Sequence, residues 1–551
     1  MASRPALTPL TAIARPGLSF YPGLVVSAIL LALTGAVFTA IISTGLEQDL
    51  ALSFDGVGRL LAFTTAQATA STLISVLLGT LLAWSLNHRR SFPGRRVFLA
   101  LLSVSMVLPT IVTALGLISV LGHNGWINQI YHGLTGHSGG LSIYGIAGIL
   151  VAHTWLNAPF LARGLLQRLQ GIPVERMKLA ASLRLSPWQR FKIVEWPALA
   201  TALPGLAITV FLLCFTSFSI VLILGGSPNF NTLEVAIFEA VKLEFDLTRA
   251  AVLALVQLSV CGVLVMLATS LPQRSSAISP PSFFHMWPDP VGARSLQGGV
   301  IVIFVVALVA PLSAVVFDGL QGDVWGMLGE PLFRQALVTS LGVAGLSSAL
   351  CIGCALAIGV TRRNLASPLR IRQSRRSWLV GWLITFMGTG YLAMPSIVLG
   401  VGFFMIFQSL PVATDFLAPL VLILANVMMA LPFALVIFTP ALQKSARRYD
   451  KLAFSLNIRG LARWRLIDWP TLRPEIGFVS ALAFCLSLGD LGVIALFGNR
   501  DFTTLPWLMY QKLGSYRTQD ASVIALILLL LIATVFLFLP AVFEKRRHVK
   551  S

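Results

Sequence analysis

Five polar side chains stand inside long apolar segments of this chain of 551 residues: Asp490, Ser217, His153, Asn157 and Asn426. A carboxylate at such depth is costly unless it faces a cavity or a partner, so Asp490 could bind a cation or gate a path. A structural carboxylate bonded to a neighbouring helix is the alternative. His153 and Asn157 share one face of a helix, and with Asn426 they could line the same path. Hydrogen bonding between helices is the favoured interpretation of these three.

Enzymatic chemistry finds little support in the sequence. The chain contains no G-x-x-x-x-G-K-[ST] phosphate-binding sequence, so it does not hydrolyse ATP by that chemistry. No Ser-His-Asp or zinc-ligand arrangement has persuasive spacing. Cys351 and Cys354 match C-x-x-C, but they lie in an apolar segment without His or charged neighbours, which favours buried packing residues. We expect no catalytic residue, no metal and no cofactor in this chain.

Two basic loops are the most distinctive polar segments. The first basic loop comprises residues 166–199 and the second comprises 441–472, and their patterns match at an offset of 273 residues. In each loop, apolar residues are interspersed with Lys and Arg, and a Trp-Pro pair lies near the end. Pro187 interrupts any continuous helix, so we predict two short helices in the first loop, the second ending near Trp196-Pro197.

The pattern of these loops suits contact with a partner. A short amphipathic helix that exposes apolar side chains can insert into a groove on another protein, and a helix lying on anionic lipid is the alternative. Two copies at matching positions favour a partner with two subunits.

Membrane-spanning helices must position all these residues. The chain is 56% hydrophobic and 11% charged, whereas ordinary soluble domains carry about 25% charged residues. An apolar segment of about 18 or more residues can cross a bilayer. Twelve segments qualify: 18–42, 61–87, 97–121, 142–165, 202–226, 248–271, 297–317, 334–360, 378–408, 416–440, 476–497 and 521–541. Each is far longer than a barrel strand needs, so we predict an all-α polytopic membrane protein.

The charge distribution predicts the orientation. The net charge is +19, and most Lys and Arg residues fall on alternate connections that include both basic loops and both termini. Such enrichment marks the cytoplasmic side. We therefore expect cytoplasmic termini and a basic surface that faces anionic lipid and a protein partner, not nucleic acid.

The chain contains an internal repeat of two homologous halves. Ser217 aligns with Asp490 at the same offset as the loops. Each half has six predicted spans, an even number, so the halves keep their orientation and are related by an axis along the membrane normal. The predicted divisions are a first half at 1–275, a cytoplasmic linker at 276–296 and a second half at 297–551. A transport path would lie at the interface of the halves.

The basic loops resemble the coupling motif of permeases of binding-protein-dependent ATP-binding cassette (ABC) importers. That motif is Glu-Ala-Ala, then Leu-Gly, then Phe, Val and Leu-Pro. The Glu position is Lys178 and Lys451 here, and the Gly position is Arg184 and Asn457, of which Asn better tolerates a left-handed turn. The resemblance implies coupling to an ATPase through Lys178, Leu179, Ala180, Leu183, Arg184, Phe191, Val194, Pro197, Lys451, Leu452, Ala453, Leu456, Asn457, Trp464, Ile467 and Pro470.

A closer resemblance covers the whole chain. Gly489-Asp-Leu-Gly-Val-Ile-Ala-Leu-Phe-Gly-Asn499 and Gly514-Ser-Tyr-Arg-Thr-Gln-Asp520 look like the fused permeases of bacterial thiamine and thiamine-pyrophosphate importers. The resemblance implies a type I importer fold in the inner membrane, import of thiamine and its phosphates, two copies of a cytoplasmic ABC ATPase that hold ATP and magnesium, and a periplasmic binding protein. The outer segments 227–250 and 500–520 are expected to contact that protein.

Other transport classes remain as alternatives. Related iron(III) permeases share part of the second motif, so an importer of iron(III) or another small solute is the nearest one. A secondary transporter can also have twelve spans in two halves, but it predicts a relay of ionisable residues, and apart from Asp490 the sequence offers little of this. A membrane scaffold gives no reason for that carboxylate.

Overall fold

The structure is a computed structural model that describes residues 22–46, 54–105, 107–136, 140, 142–183, 185–226, 229–270, 289–365, 381, 383–384, 388, 390–408, 414–458 and 460–544. Within these ranges the regular elements are helices, which confirms the all-α prediction. The first half contributes α1 (Pro22–Leu46), α2 (Phe54–His88), α3 (Arg95–Val104), α4 (Thr110–Leu121), α5 (Trp126–Thr135), α6 (Ile146–Gln170), α7 (Val174–Ser182), α8 (Pro187–Ala200), α9 (Leu203–Phe215), α10 (Ser219–Leu224), α11 (Leu233–Lys242) and α12 (Leu247–Ser270). The second half contributes α13 (Val291–Gln321), α14 (Val324–Gly329), α15 (Pro331–Leu365), α16 (Ser396–Gln408), α17 (Thr414–Ser455), α18 (460–488), α19 (Gly492–Phe497), α20 (Leu505–Gly514) and α21 (Thr518–Phe543).

The predicted spans have helical counterparts in the described ranges. Nine helices there are long and apolar enough to cross a membrane, or ten if the bent pair α8 and α9 forms one span. The two remaining predicted spans correspond to α6 and to the shorter apolar helix α16. Part of the predicted span 378–408 lies outside the described residues.

The two halves exchange their first helices. Helix α1 contacts α15 and α16 of the second half, and α13 contacts α2 and α4 of the first half. At one crossing the backbone N–H of Gly23 donates to Thr361 Oγ1 at 2.9 Å. A Cβ on Gly23 would lie 2.7 Å from the Cα of Ile358. Glycine is therefore required for this close approach, as is common between membrane helices.

The repeat extends to individual hydrogen bonds. The backbone N–H of Leu233 donates to Thr64 Oγ1 at 3.1 Å, and that of Leu505 donates to Ser340 Oγ at 2.8 Å. Each bond joins the start of a short buried helix, α11 or α20, to the second long helix of its own half, α2 or α15. The halves are thus built alike at the level of single contacts.

The predicted span 97–121 is interrupted, contrary to the prediction of one continuous helix. Helix α3 ends at Val104, and α4 begins at Thr110, directly after Pro109. Proline has no N–H to donate, and it disfavours helical backbone in the residue before it. The segment therefore consists of two helices joined by a short turn, in which the backbone N–H groups of Val107 and Leu108 donate to the carbonyl of Val104.

Two further predicted spans break at matching positions. Helix α9 ends at Phe215 and α10 begins at Ser219, while α18 ends at Leu488 and α19 begins at Gly492. The prediction that Asp490 lies within a continuous helix is therefore wrong, because it lies in the second break. Irregular backbone at membrane depth is tolerated where protein buries it or where it lines a cavity.

Candidate functional site

The second helix of the first basic loop ends at Ala200, close to the predicted end near Trp196-Pro197. Helix α8 starts with a capping box of Ser186 and Gln189 and runs to Ala200. Its middle, Phe191–Glu195, is a π-helix in which the Trp196 N–H donates to the carbonyl of Phe191. In a π-helix each N–H donates to the carbonyl five residues earlier, not four. The helical turn that precedes the proline is therefore wider than in an α-helix.

The second basic loop repeats this arrangement. Trp464–Asp468 is also a π-helix, with the Trp469 N–H donating to the carbonyl of Trp464. Helix α18 then continues without interruption to Leu488. The π-helix lies at the same position in both halves. In each half it therefore rotates the side chains before it in the same way, relative to those after it. Such insertions are frequent at functional sites.

The apolar residues of the loops form two sets. Leu179 and Leu183 are 60% and 62% exposed, and Leu452 and Leu456 are 53% and 61% exposed. These four are available to a partner. The other set faces the protein: Phe191, Val194 and Trp464 are half-buried, and Ala180, Ala453 and Ile467 are buried.

The repeat reveals exposed pairs that the motif comparison did not select, among them Ile193 and Leu466 at 60% and 65% exposure, and a second pair on the same helices. Trp188 and Leu461 are 70% and 68% exposed, and they are 273 residues apart. Aligning the two loops residue by residue would have found this pair. It extends each exposed apolar patch onto the second helix of its loop.

The turns of the two loops are described unequally. Asn457 adopts a left-handed conformation with φ of 49°, whereas Arg184 lies outside the described residues. Lys178 and Lys451, at the Glu position of the motif, are exposed, as are Pro197 and Pro470.

A buried ion cluster lies beneath the first loop. Glu195 is fully buried, and its Oε1 is 2.9 Å from His88 Nε2 and 3.5 Å from Arg190 Nε. Asp289 accepts hydrogen bonds from Arg190 Nη2 and from Gln297 Nε2, each at 2.7 Å, and its Oδ2 lies 2.6 Å from His88 Nδ1. Burial alone would raise the pKa of Asp289, but the bonds from His88, Gln297 and Arg190 lower it below its ordinary value. Asp289 is therefore ionised at neutral pH.

A second cluster lies beneath the second loop. Asp468 is buried, with Oδ1 2.8 Å from Arg363 Nη1 and Oδ2 3.4 Å from Arg463 Nε. Arg463 also donates to Asp450 Oδ1 at 2.6 Å. In both clusters the last residue of the π-helix is a buried acid, and a cation at the end of α2 or α15 binds it. Each loop is thereby tied to the second long helix of its half.

The predicted path residues of α6 make contacts with neighbouring helices. His153 is buried, and its Nδ1 lies 3.1 Å from Ser71 Oγ on α2. Asn157, one turn further along, donates to Cys214 Sγ at 3.3 Å. The side chains therefore join α6 to α2 and to the end of α9.

Asn426 makes the corresponding contact in the second half. Its Nδ2 donates to Ser487 Oγ at 2.8 Å, and Ser487 is 273 residues after Cys214. Both acceptors come three residues before the site of a helix break, Ser217 or Asp490. The amides of α6 and α17 thus hold the helix ends that lead into the breaks.

Two carboxylates, half-buried Asp490 and buried Glu234, lie near the interface of the halves. Asp490 Oδ1 accepts the backbone N–H of Gly492 at 3.2 Å, and a Cβ on Gly489 would lie 3.1 Å from Pro109 of the first half. Glu234 on α11 is fully buried and accepts from Gln257 at 3.1 Å. Helix α11 contacts α16 and α19 of the second half.

These two acids keep unused bonding capacity. Among the described residues, Glu234 Oε2 and Asp490 Oδ2 are buried without a hydrogen-bond partner. Glu234 lies in the outer segment 227–250, which is expected to contact a binding protein, but its buried side chain is not available to such a partner. Glu234 also lies in the stretch Leu233–Phe238, whose other residues are apolar, and every residue of that stretch is buried. The apolar composition was the sequence signal for the burial of Glu234.

The described residues contain no group of three or more His, Cys, Asp or Glu side chains that could hold a metal ion. Cys351 and the other cysteines are unbridged, and most of them are buried.

Paired basic loops with matching exposed apolar patches, on a helical membrane core with exchanged first helices, are typical of a transporter permease. The chain belongs to the family described as binding-protein-dependent transport system inner membrane components, whose model matches residues 75–276. Members of this family are transport components and not enzymes, and they work with an ATPase and a binding protein. The resemblance that the loops indicated is confirmed.

Similarity to characterised relatives covers nearly the whole chain. The chain is 38% identical over 541 residues to the thiamine transport system permease protein ThiP of Escherichia coli (strain K12), which covers 96% of this chain and 97% of that protein. It is 38% identical over 529 residues to the same permease of Brucella abortus (strain 2308), covering 94% of each. It is 37% identical over 530 residues to that of Haemophilus influenzae, covering 94% and 95%.

Proposed function

We propose that this chain is the membrane-spanning subunit of an ATP-driven importer of thiamine, and of its phosphates, in a bacterial inner membrane. The observation that carries the proposal is 38% identity to a thiamine permease over 96% of this chain. The matched exposed patches on both basic loops give independent support for the importer class.

Two copies of a cytoplasmic ABC ATPase bind the loops in this proposal, one on each. The first exposes Leu179 and Leu183, and the second exposes Leu452 and Leu456, so each offers the same kind of apolar patch. ATP and magnesium belong to the ATPase subunits. A periplasmic binding protein delivers the solute to the opposite face, and both termini lie on the ATPase side.

The ion clusters carry the movement inward. When ATP closes the two ATPase subunits, each basic loop moves with its subunit. Glu195 and Asp468 are bound to the ends of α2 and α15, so the long helices follow. Since the halves exchange α1 and α13, movement of one half also shifts a helix of the other.

The helix breaks form the solute path in this proposal. Thiamine carries a positively charged thiazolium ring, and the unpaired oxygens of Asp490 and Glu234 are suited to attract it. Ser217 lies in the matching break of the first half. Asn157 and Asn426 hold the helix ends beside the breaks, and His153 joins α6 to α2. In this proposal the three residues position the path rather than bind the solute.

Uptake of labelled thiamine at nanomolar concentration tests the function. Cells that supply the ATPase and the binding protein are compared with and without this chain, and uptake only with the chain is expected. Unlabelled thiamine and thiamine pyrophosphate are then added as competitors to compare their use. Uptake of thiamine that does not depend on the chain would overturn the assignment and favour iron(III) or another small solute.

A further inference from the structure

The two ion clusters differ in where their second carboxylate comes from. Arg463 of the second loop binds Asp450, which lies within the same loop, near the end of α17. Arg190 of the first loop binds Asp289, which lies 99 residues away, just before α13 of the second half. Arg190 and Arg463 are at matching positions in the repeat, so the difference lies in the carboxylate that each arginine binds.

Several contacts hold Asp289 in place. Gln297 on α13 donates to its Oδ2, and His88 at the end of α2 lies 2.6 Å from the same oxygen. Nearby, Arg89 donates to the carbonyl of Arg294 at 2.8 Å, which joins the same two helices again. The side chains of Arg190 and Asp289 are only 10% and 8% exposed. Water therefore competes little for their ion pair.

We propose that Asp289 is a positioning residue that fastens the first basic loop to the second half of the chain. Movement of the ATPase subunit on the first loop then passes directly to both halves, through α2 and through α13. Movement of the subunit on the second loop passes first to its own half. The two coupling loops are therefore not equivalent, although their exposed surfaces match. This inference rests on the proposed coupling to an ATPase.

The direct test measures a distance. Spin labels are placed at two exposed positions, Lys192 on the first loop and Val291 at the start of α13, in the complete complex with ATPase and binding protein. In the otherwise unchanged permease, the label distance should stay narrow and constant when ATP is added. With Asp289→Asn it should broaden and shift on ATP binding. With Asp450→Asn, the matched control, it should remain as in the unchanged permease.

A second readout connects the pair to transport. Thiamine imported per ATP hydrolysed is measured in proteoliposomes. Asp289→Asn should lower this ratio at least threefold, and Asp289→Glu should restore most of it. Asp450→Asn should lower import and hydrolysis together, with little change in the ratio. If Asp289→Asn does not assemble, Gln297→Leu removes only the bond that orients Asp289, and a smaller change of the same kind is expected in both readouts.

The outcomes separate this inference from the proposed function. A label distance that stays narrow and constant in Asp289→Asn, or in Gln297→Leu where that variant replaces it, would overturn the inference. An equal change in Asp450→Asn would also overturn it. The distance does not depend on which solute is carried. A wild-type complex that imports no thiamine would count against the proposed solute alone, and the distance would still decide the role of Asp289.

Discussion

Glu195 and Asp468, 273 residues apart, occupy the same position in two copies of one structure. Each is the last residue of a five-residue π-helix, each is buried, and each lies against a cation at the end of a long helix. Exposed loops that merely rested on lipid would not require buried charges at their base. Their presence indicates that the position of each loop is tightly defined relative to the membrane helices.

Removing either carboxylate should destabilise the protein, but to different extents. Breaking a buried ion pair by removal of one partner costs about 3–5 kcal/mol. Asp468→Asn leaves Arg363 and Arg463 charged and should approach that cost in the free energy of unfolding. Glu195→Gln should cost less, since the imidazole of His88, unlike a guanidinium, can become neutral. Unfolding of the purified permease in mixed micelles measures both.

Glu175→Gln is the matched control for these variants, because Glu175 is exposed on α7 of the first loop. Its effect should stay within about 0.5 kcal/mol. Equal losses for Glu195→Gln and Asp468→Asn would contradict the role given to His88.

Charge placed on the exposed patches should release the ATPase. Leu183→Asp together with Leu456→Asp puts one carboxylate in each proposed docking groove, and a charge without a partner is costly to bury. Because both side chains are exposed in the permease, its own fold should be unaffected. The measurement is co-purification of the ATPase with the tagged permease, which should be lost.

The control for docking is Leu134→Asp, at a side chain that is 81% exposed on α5, far along the chain from either loop. It carries the same change of chemistry and should retain the ATPase. Retention of the ATPase by the double variant would rule out docking through these leucines.

The turn of the second loop should depend on Asn457. Its left-handed backbone costs most residues about 1–2 kcal/mol, while Asn and Gly tolerate it. Asn457→Ala should therefore lower both the stability of the loop and the amount of bound ATPase, and Asn457→Gly should preserve them. Titration of the purified permease with the ATPase measures the effect. Weaker binding by the Gly variant than by the Ala variant would contradict this account.

The sequence was sufficient for the spans, the repeat and the loops, because each depends on local pattern or on comparison of one half with the other. The ion cluster at Asp289 could not be predicted, since Arg190 meets it across 99 residues of chain. The break at Asp490 was also missed, because the flanking segment is apolar throughout; at the break, Gly489 lies close to Pro109 of the first half. The burial of Glu234 was missed as well, although the apolar residues on either side of it were a signal.

Neutralising Asp490 or Glu234 should change the preference of the permease between thiamine and thiamine pyrophosphate. If Asp490 and Glu234 attract the thiazolium ring, Asp490→Asn and Glu234→Gln should each lower thiamine import by up to about tenfold, equivalent to about 1.4 kcal/mol. Thiamine pyrophosphate carries the same ring with added negative charge, which these acids repel, so its import should fall less. The measurement is initial import of each labelled compound into proteoliposomes, expressed as the ratio of the two.

Ser217→Ala, at the position matching Asp490, is the control and should leave that ratio unchanged. Equal losses for both compounds would indicate that the two carboxylates stabilise the helix breaks without contacting the solute.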